Sequence, residues 1–141
     1  MNDMHALPHG DWVALLPLTA LLPHEEHDAE RAGLLSAEIQ AQGVWTEPLL
    51  IERRHFIILD GHHRWEAAKR LNLATVPARM IAYGDPRLSL TSWRPGERWT
   101  PRDVIARALT GNLCPIKTTR HTLRAVSAAL PFGLAELRRA L

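Results

Sequence analysis

The sequence has a single cysteine, a single tyrosine and no long apolar stretch. Because Cys114 has no second cysteine to pair with, it can form no internal disulfide, which is typical of a reducing compartment. The chain begins without a secretory signal pattern, so we expect a cytoplasmic protein. No apolar run approaches the ~20 residues that a helix needs to cross a bilayer, and we expect no membrane partner.

The sequence also lacks a strong excess of charge of either sign. Seventeen Lys and Arg residues face fifteen Asp and Glu residues, which gives a formal net charge of +2. Proteins that bind nucleic acid usually concentrate positive charge, so we expect no nucleic-acid partner. A chain of 141 residues that is 46% hydrophobic fits one domain, which we predict over residues 1–141 with 1–10 as a loose lead-in. The sequence does not determine the oligomeric state, and a monomer is the simpler expectation.

Apolar periodicity and turn residues predict alternating strands and helices. Asp28 and Gly43 bound one helix, and Thr100 followed by Pro101 begins another. We predict strands at residues 12–16, 48–52, 55–59, 75–81 and 88–93, and helices at residues 28–42, 61–71, 100–109 and 134–141. The strand, turn, helix and strand over residues 55–81 resemble a βαβ unit. The fold class expected is therefore a mixed α/β (α+β) domain, a mixed sheet flanked by helices.

The sharpest local pattern is Asp60-Gly61-His62-His63-Arg64, which follows an apolar strand and opens a helix. The first N–H groups of a helix are unpaired and carry partial positive charge, so they attract phosphate oxygens. Gly61 permits close approach, Arg64 can clamp a phosphate, and His62 and His63 can donate hydrogen bonds to it. Asp60 can hold Mg²⁺ or orient a hydroxyl. The alternative is that Asp60 only caps the helix and the basic residues lie on the surface.

Two acids follow Pro23-His24 in a predicted turn before the first helix. Glu25 is a candidate general base if the turn presents its carboxylate to a cleft. The alternative is an acid that interacts with the helix dipole or with solvent. A zinc site is not indicated, because His24 and His27 lack the i, i+4 spacing of two zinc-binding histidines.

A polar segment at residues 117–121 offers one ammonium, two hydroxyls, one guanidinium and one imidazole. Such a set can recognise the carboxylate of an amino acid or a phosphate. Trp93 can form a wall of a small pocket. The alternatives are a solvated turn for the segment and a core position for Trp93. The residues of the segment are Lys117, Thr118, Thr119, Arg120 and His121.

These motifs, in this order, resemble those of the free L-serine kinases, which share a fold with ParB N-terminal domains and sulfiredoxin. The matching segments are Pro23-His24-Glu25, the DGHHRW sequence from Asp60, Trp93 and the KTTRH sequence from Lys117. The similarity extends from about residue 16 to about residue 132. It implies a ParB/sulfiredoxin-like fold and transfer of phosphate from ADP or ATP to the hydroxyl of L-serine.

The resemblance also implies a role for each motif. Glu25 would accept the hydroxyl proton of serine, and residues 61–64 would hold the nucleotide phosphates with Mg²⁺ held through Asp60. Trp93 and residues 117–121 would position serine.

The chain departs from its relatives at identifiable places. It lacks the large insert that the archaeal kinase has between the positions of Trp93 and Lys117. Sulfiredoxin needs a cysteine at the position of His62, so reduction of a sulfinic acid is excluded. ParB partition proteins carry a Gly-Glu-Arg-Arg loop and a later helix-turn-helix, for which we expect no room after His121. A ParB-like nucleotide-binding regulatory module and a nucleotide hydrolase remain alternatives to the kinase.

Overall fold

A computed structural model of the protein describes residues 4–6, 12–125 and 131–139. In chain order the elements are β1 (Met4–Ala6), β2 (Trp12–Pro17), α1 (Ala29–Gln42), β3 (Val44–Trp45), β4 (Leu49–Glu52), β5 (Ile57–Asp60), α2 (His62–Arg70), β6 (Thr75–Ile81), β7 (Leu88–Ser92), α3 (Pro101–Thr110), β8 (Thr119–Leu123), β9 (Phe132–Gly133) and α4 (Leu134–Leu137). None of the helices in these ranges has the length and apolar character needed to span a membrane.

Five strands form a mixed sheet in the order β1-β2-β6-β4-β5. Strand β6 is antiparallel to β2 and parallel to β4, and β4 is antiparallel to β5. The expected mixed sheet is thus confirmed, but the predicted βαβ unit is wrong, because β5 and β6 are neither neighbours nor parallel. The parallel neighbours are β4 and β6, and the chain passes through β5 and α2 between them.

The helix boundaries follow from their capping residues. The carboxylate of Asp28 accepts hydrogen bonds from the N–H groups of Glu30 and Arg31 at 2.9 and 3.3 Å, and α1 ends at Gly43 with a φ of 72°. Thr100 and Asp103 form a reciprocal capping box at the start of α3, which begins with a proline at its first position. The predictions for the starts of α1 and α3 are confirmed.

Two layers of side chains cover the sheet. Alternate residues of β4 and β5 belong to different apolar clusters, as expected when successive side chains point to opposite faces. Leu49, Ile51 and Ile58 pack in a cluster with Trp65 of α2 and Ile39 of α1. On the other face Leu50, Ile57 and Leu59 pack against Val104 and Ala108 of α3. Strands β7 and β8 form a separate antiparallel pair, whose partly buried leucines pack against this second cluster.

Several predicted boundaries are wrong. Strand β5 begins two residues later than expected, because residues 53–56 form a turn in which Phe56 has a φ of 59° and the Glu52 carboxylate accepts the N–H groups of Arg54 and His55. Residues 4–6 of the lead-in form β1, and α4 ends at Leu137. The short pair of β3 and β9 was not predicted. Residues 1–3, 7–10 and 140–141 lie outside the described part of the chain.

Candidate active site

One cleft of about 600 Å³ gathers most of the predicted site residues. It lies where the end of β5 and the start of α2 meet the loop before α1 and the start of β8. The predicted residues that line it are Glu25, Asp60, Gly61, His62, His63, Arg64, Trp93, Lys117, Thr119, Arg120 and His121. Among the predicted site residues, Thr118 alone does not line it. Three motifs that are far apart in the sequence therefore share one cavity.

The Glu25 carboxyl is anchored through one of its oxygens. Its Oε1 atom accepts hydrogen bonds from the N–H groups of Thr118 and Thr119 at 3.2 and 2.9 Å, and it lies 3.0 Å from the Thr119 hydroxyl. Burial raises the pKa of Glu25, while its hydrogen bonds with Thr119 and Thr118 lower it and so offset part of that increase. Since Asp28, not Glu25, caps α1, the alternative of a helix-dipole or solvated acid does not describe this residue.

The backbone at Lys117 aims these donors at Glu25. Lys117 has a φ of 56°, in the left-handed region that a non-glycine residue seldom adopts. Successive N–H groups in a turn with a left-handed residue can point toward one place, which makes a concave site for an anion. The alternative of a solvated turn at residues 117–121 is excluded, because residues 119–121 belong to β8 and Thr118, Thr119 and His121 are buried.

The remaining residues of this segment differ in where they point. The Thr118 hydroxyl donates to the Pro115 carbonyl at 2.6 Å and so turns away from the cleft. The guanidinium of Arg120 stacks on the Trp93 ring, with its carbon 4.3 Å from the ring centroid. Trp93 is 56% exposed, which excludes the alternative of a core position.

The start of α2 is less cationic than its sequence suggests. His62 is buried, and its Nε2 accepts the N–H of His24 at 3.2 Å. Burial, followed by the nearby imidazoles of His24 and His121, holds the pKa of His62 well below its usual value. The Nε2 of His63 accepts the N–H of Asp28 at 3.0 Å, and burial lowers its pKa too. Each ring is therefore neutral and uses Nε2 as an acceptor, and the predicted donation of hydrogen bonds to a phosphate by His62 and His63 stays a prediction.

Arg64 also contacts the protein scaffold. Its guanidinium donates to the carbonyls of Glu47 and Pro48 at 2.9 and 3.1 Å, and it lies 3.7 Å from the Asp60 carboxylate. Asp60 makes no cap for α2, because Gly61 occupies the N-cap position without a side-chain hydrogen bond. The Asp60 side chain is 66% exposed at the cleft.

Gly61 explains why the chain can turn here. Its φ is 112°, and a Cβ atom added to it would lie 2.5 Å from Cδ2 of Leu49. Any larger residue would be strained and would clash with the core. The sequence argument for Gly61 rested on close approach of a ligand, whereas the structure adds close approach of a core side chain.

Sequence reasoning missed several residues of the site. Arg31 of α1 lines the cleft, as do Leu35, Leu59 and Thr122. The position of Arg31 in the first turn of a predicted helix was a usable signal, since that helix begins a few residues after Glu25. His24 was weighed only as a metal ligand, yet its ring is wholly buried behind the cleft. The Tyr83 hydroxyl, 2.8 Å from Nε2 of His121, gave no local signal at all.

Few of the described side chains at the cleft are placed to bind a metal ion. Within the ranges that the structure describes, no group of three or more His, Cys, Asp or Glu side chains is arranged to hold a metal ion. The exposed carboxylate of Asp60 lies near the start of α2, 3.7 Å from the Arg64 guanidinium.

Comparison with curated proteins finds serine kinases. An ATP-dependent L-serine kinase of Staphylothermus marinus is 36% identical over 85 residues, which are 57% of this chain and 34% of that protein. One of Desulfurococcus mucosus is 30% identical over 98 residues, which are 67% of this chain and 38% of that protein. The chain therefore spans somewhat more than a third of the length of these relatives.

Comparison with solved structures supports the same fold. A free serine kinase mutant in complex with ADP superposes with a TM-score of 0.82 at 14% identity, covering 96% of this chain and 97% of that one. At this identity the likeness establishes the fold, and the ParB-like α/β fold expected from the sequence is confirmed.

The family model of the ParB N-terminal domain matches residues 6–90. This stretch is more than half of the chain, and it includes Glu25 and all of residues 60–64. From this match, and from the mixed sheet that presents both motifs to one cleft, we conclude that the chain belongs to the ParB N-terminal domain family.

Proposed function

We propose that the protein transfers the terminal phosphate of ADP or ATP to the hydroxyl of free L-serine, which gives O-phospho-L-serine. The observation that carries this proposal is the convergence of Glu25, the start of α2 and the 117–121 segment on one cleft of about 600 Å³. Serine and the phosphates of a nucleotide both fit such a volume. The curated relatives named L-serine kinases support the choice of reaction.

Glu25 is the general base of the proposed reaction. The N–H groups of Thr118 and Thr119 and the Thr119 hydroxyl all contact Oε1, and Oε2 is the oxygen that would approach the serine hydroxyl. A base is most effective when its pKa lies near the working pH, and burial raises the pKa of Glu25 toward that range. The two amide donors meanwhile hold the carboxyl in place. Glu25 would take the hydroxyl proton as the oxygen attacks the phosphorus.

The nucleotide phosphates lie at the start of α2. Gly61 lets them approach the unpaired N–H groups of residues 62–64, whose partial positive charge replaces the charge that the neutral histidines do not supply. Arg31 and Lys117 line the same cleft as full cations. Arg64, which holds the carbonyls of Glu47 and Pro48, fixes the loop and contributes its charge from the wall of the cleft.

Asp60 fits a magnesium site of the kind found in phosphoryl-transfer enzymes. Mg²⁺ is usually held by one or two carboxylates together with substrate phosphates, and the single exposed carboxylate of Asp60 beside the phosphate loop matches that set. When bound there, the ion would neutralise charge on the phosphate oxygens.

Serine is held by the other part of the cleft in this proposal. Trp93 and the Arg120 guanidinium stacked on it form one wall, and the α-carboxylate of serine is a natural partner for that guanidinium. Lys117, Thr119 and His121 line the rest of this part, while Thr118 contributes through the N–H that anchors Glu25.

The test is a phosphorus NMR assay of the purified protein with Mg²⁺, L-serine and either ADP or ATP. Formation of O-phosphoserine that depends on serine supports the kinase. Release of inorganic phosphate without serine would instead indicate a nucleotide hydrolase, and nucleotide binding without turnover would indicate a regulatory module. Glycine and L-alanine, which lack the hydroxyl, serve as matched acceptor controls.

A further inference from the structure

The Thr119 hydroxyl lies between two acceptors but carries a single proton. Its oxygen is 2.8 Å from Nε2 of His24 and 3.0 Å from Oε1 of Glu25. A hydroxyl donates one hydrogen bond at a time, so one of the two acceptors must do without it. The position of this proton therefore decides how many donors hold the Glu25 carboxylate.

The other ring nitrogen of His24 fixes which atom needs a donor. Nδ1 lies 2.7 Å from the carbonyl oxygen of Ile58. A carbonyl oxygen can only accept, so Nδ1 carries a proton in this contact. Burial lowers the pKa of His24 to about 4, which makes the ring neutral at physiological pH. The Nε2 atom of the neutral ring then has no proton and must accept one.

The two acceptors differ in what else they bind. Oε1 of Glu25 already accepts two backbone N–H groups. Among the described residues, the hydrogen-bond partner of Nε2 of His24 is the Thr119 hydroxyl, and the His24 ring is wholly buried. A buried acceptor without a donor is more costly than a carboxylate that loses one donor and keeps its backbone donors. The hydroxyl proton therefore belongs to His24.

We propose that His24 is a positioning residue for Glu25, which acts by taking the Thr119 hydroxyl proton so that backbone amides alone hold the carboxylate. This inference rests on the proposed function, in which Glu25 is the base. The consequence is a carboxylate that is fixed in direction but remains basic, since each further hydrogen bond to a charged carboxylate would weaken it as a base.

Two further imidazoles, a thiol and an ammonium lie near His24 and Glu25. The rings of His62 from α2 and His121 from β8 lie edge-on to His24, with centroids at 4.7 and 5.5 Å. Burial lowers the pKa of both, so both are neutral. Cys114 forms a backbone bridge with Glu25, and burial raises the pKa of its thiol. Lys117 is the nearby cation of the loop that holds Glu25.

Two substitutions of His24 separate the functions of its two nitrogens. In His24→Asn the side-chain amide can replace Nδ1 at the Ile58 carbonyl, but nothing replaces Nε2. The Thr119 hydroxyl is then free to donate to Glu25, and the titration midpoint of Glu25 should fall by about one pH unit. In His24→Gln the amide reaches the position of Nε2, its oxygen can accept the hydroxyl proton, and the midpoint should stay near the parent value.

Thr119→Val gives the decisive comparison, because it removes the hydroxyl while preserving shape on a strand. If the hydroxyl proton belongs to His24, Glu25 loses no donor and its midpoint stays at the parent value. If the proton belongs to Glu25, the midpoint rises by about one pH unit, and the proposal is overturned. An unchanged midpoint in His24→Asn would overturn it as well. Should the His24 variants fail to fold, Thr119→Val decides the question alone.

The measurement is a carbon-13 NMR titration of the Glu25 carboxyl in protein labelled at glutamate, assigned with Glu25→Gln. It needs neither serine nor nucleotide, so its outcome does not depend on kinase activity. The pH profile of kcat/KM is then recorded for parent and His24→Asn. If the carboxyl midpoint falls but the acidic limb of the profile does not move, Glu25 is not the base and the proposed mechanism fails, while the role of His24 stands.

Discussion

The start of α2 and the 117–121 segment both line the cleft, and both look polar and basic in the sequence, but they use their side chains in opposite ways. At the start of α2, His62, His63 and Arg64 bond outward to the backbone of other elements. In the 117–121 segment, the N–H groups of Thr118 and Thr119 point inward to Glu25. The start of α2 is thus held to the rest of the fold by its side chains, and the 117–121 segment holds the carboxyl group that the proposed reaction uses.

This difference shows that residue type does not determine charge at a buried site. The imidazoles at the start of α2 are neutral acceptors because burial disfavours their protonated form. The positive potential there comes from the helix N-terminus and from Arg31, Arg64 and Lys117.

The largest effect is expected from removing the carboxylate that the 117–121 segment holds. Glu25→Gln keeps the shape and the acceptor for the two backbone amides but cannot take a proton. We expect serine phosphorylation to fall by about 10² to 10⁴-fold, with nucleotide affinity close to that of the parent. Initial rates and calorimetric titration with nucleotide measure the two quantities. Glu26→Gln, at the adjacent exposed acid, is the matched control, and equal losses in both variants would remove Glu25 from the mechanism.

Acid pH should destabilise the folded protein through the buried histidines behind both regions. The folded pKa values of His24 and His121 lie at about 4 and about 3, below the ordinary value of 6.5. The unfolded chain thus binds more protons below pH 6.5, so stability is complete above that pH and is lost as the pH falls toward 4. Each ring should cost about 2 kcal/mol of unfolding free energy by pH 5.

Denaturant unfolding between pH 7.5 and pH 5 measures this dependence. His24→Gln, which removes one of the two rings, should make the decline shallower. A parent protein whose unfolding free energy is constant over that interval would contradict the neutral, buried state assigned to these histidines.

Much of the architecture could be predicted because its signals are local. Strand β6 has the predicted bounds, and the capped starts of α1 and α3 follow from Asp28, Thr100 and Pro101. The order of the strands could not be predicted, because the pairing of β6 with β4 joins segments that are distant in sequence. The pairs β3–β9 and β7–β8 depend on similar long-range contacts.

Some features of the site could likewise be predicted from local sequence, and others could not. Glu25, Gly61 and Lys117 could be selected because acids, glycine and cations have recognisable chemistry in a motif. The neutrality of His62 and the burial of His24 could not be selected, because each depends on elements that fold around the ring. The left-handed backbone at Lys117 could not be predicted either, since nothing in its residue type favours that conformation. The roles of Glu25, Gly61 and Lys117 in catalysis stay predictions until variants of these residues are assayed.

A smaller effect is expected from the turn that begins α2. Gly61→Ala would place a methyl group 2.5 Å from a core leucine at a φ of 112°, so both strain and a clash result. We expect a loss of about 2 to 4 kcal/mol in unfolding free energy. Gly84→Ala is the control, because an added Cβ there meets no atom within 4 Å. Similar stability of the two variants would show that the turn tolerates a side chain.

The smallest effect separates anchoring from phosphate binding at Arg64. If the guanidinium mainly fastens the loop through the carbonyls of Glu47 and Pro48, Arg64→Lys should lose about 1 to 2 kcal/mol of unfolding free energy, because one ammonium does not reproduce the planar fork. Nucleotide affinity should fall less in Arg64→Lys than in Arg64→Ala, since lysine keeps the charge. Arg54→Lys, at an exposed arginine in the turn between β4 and β5, is the matched control for stability. Full stability of Arg64→Lys with strongly reduced nucleotide binding would reverse the assignment and place Arg64 with the inward-facing groups of the cleft.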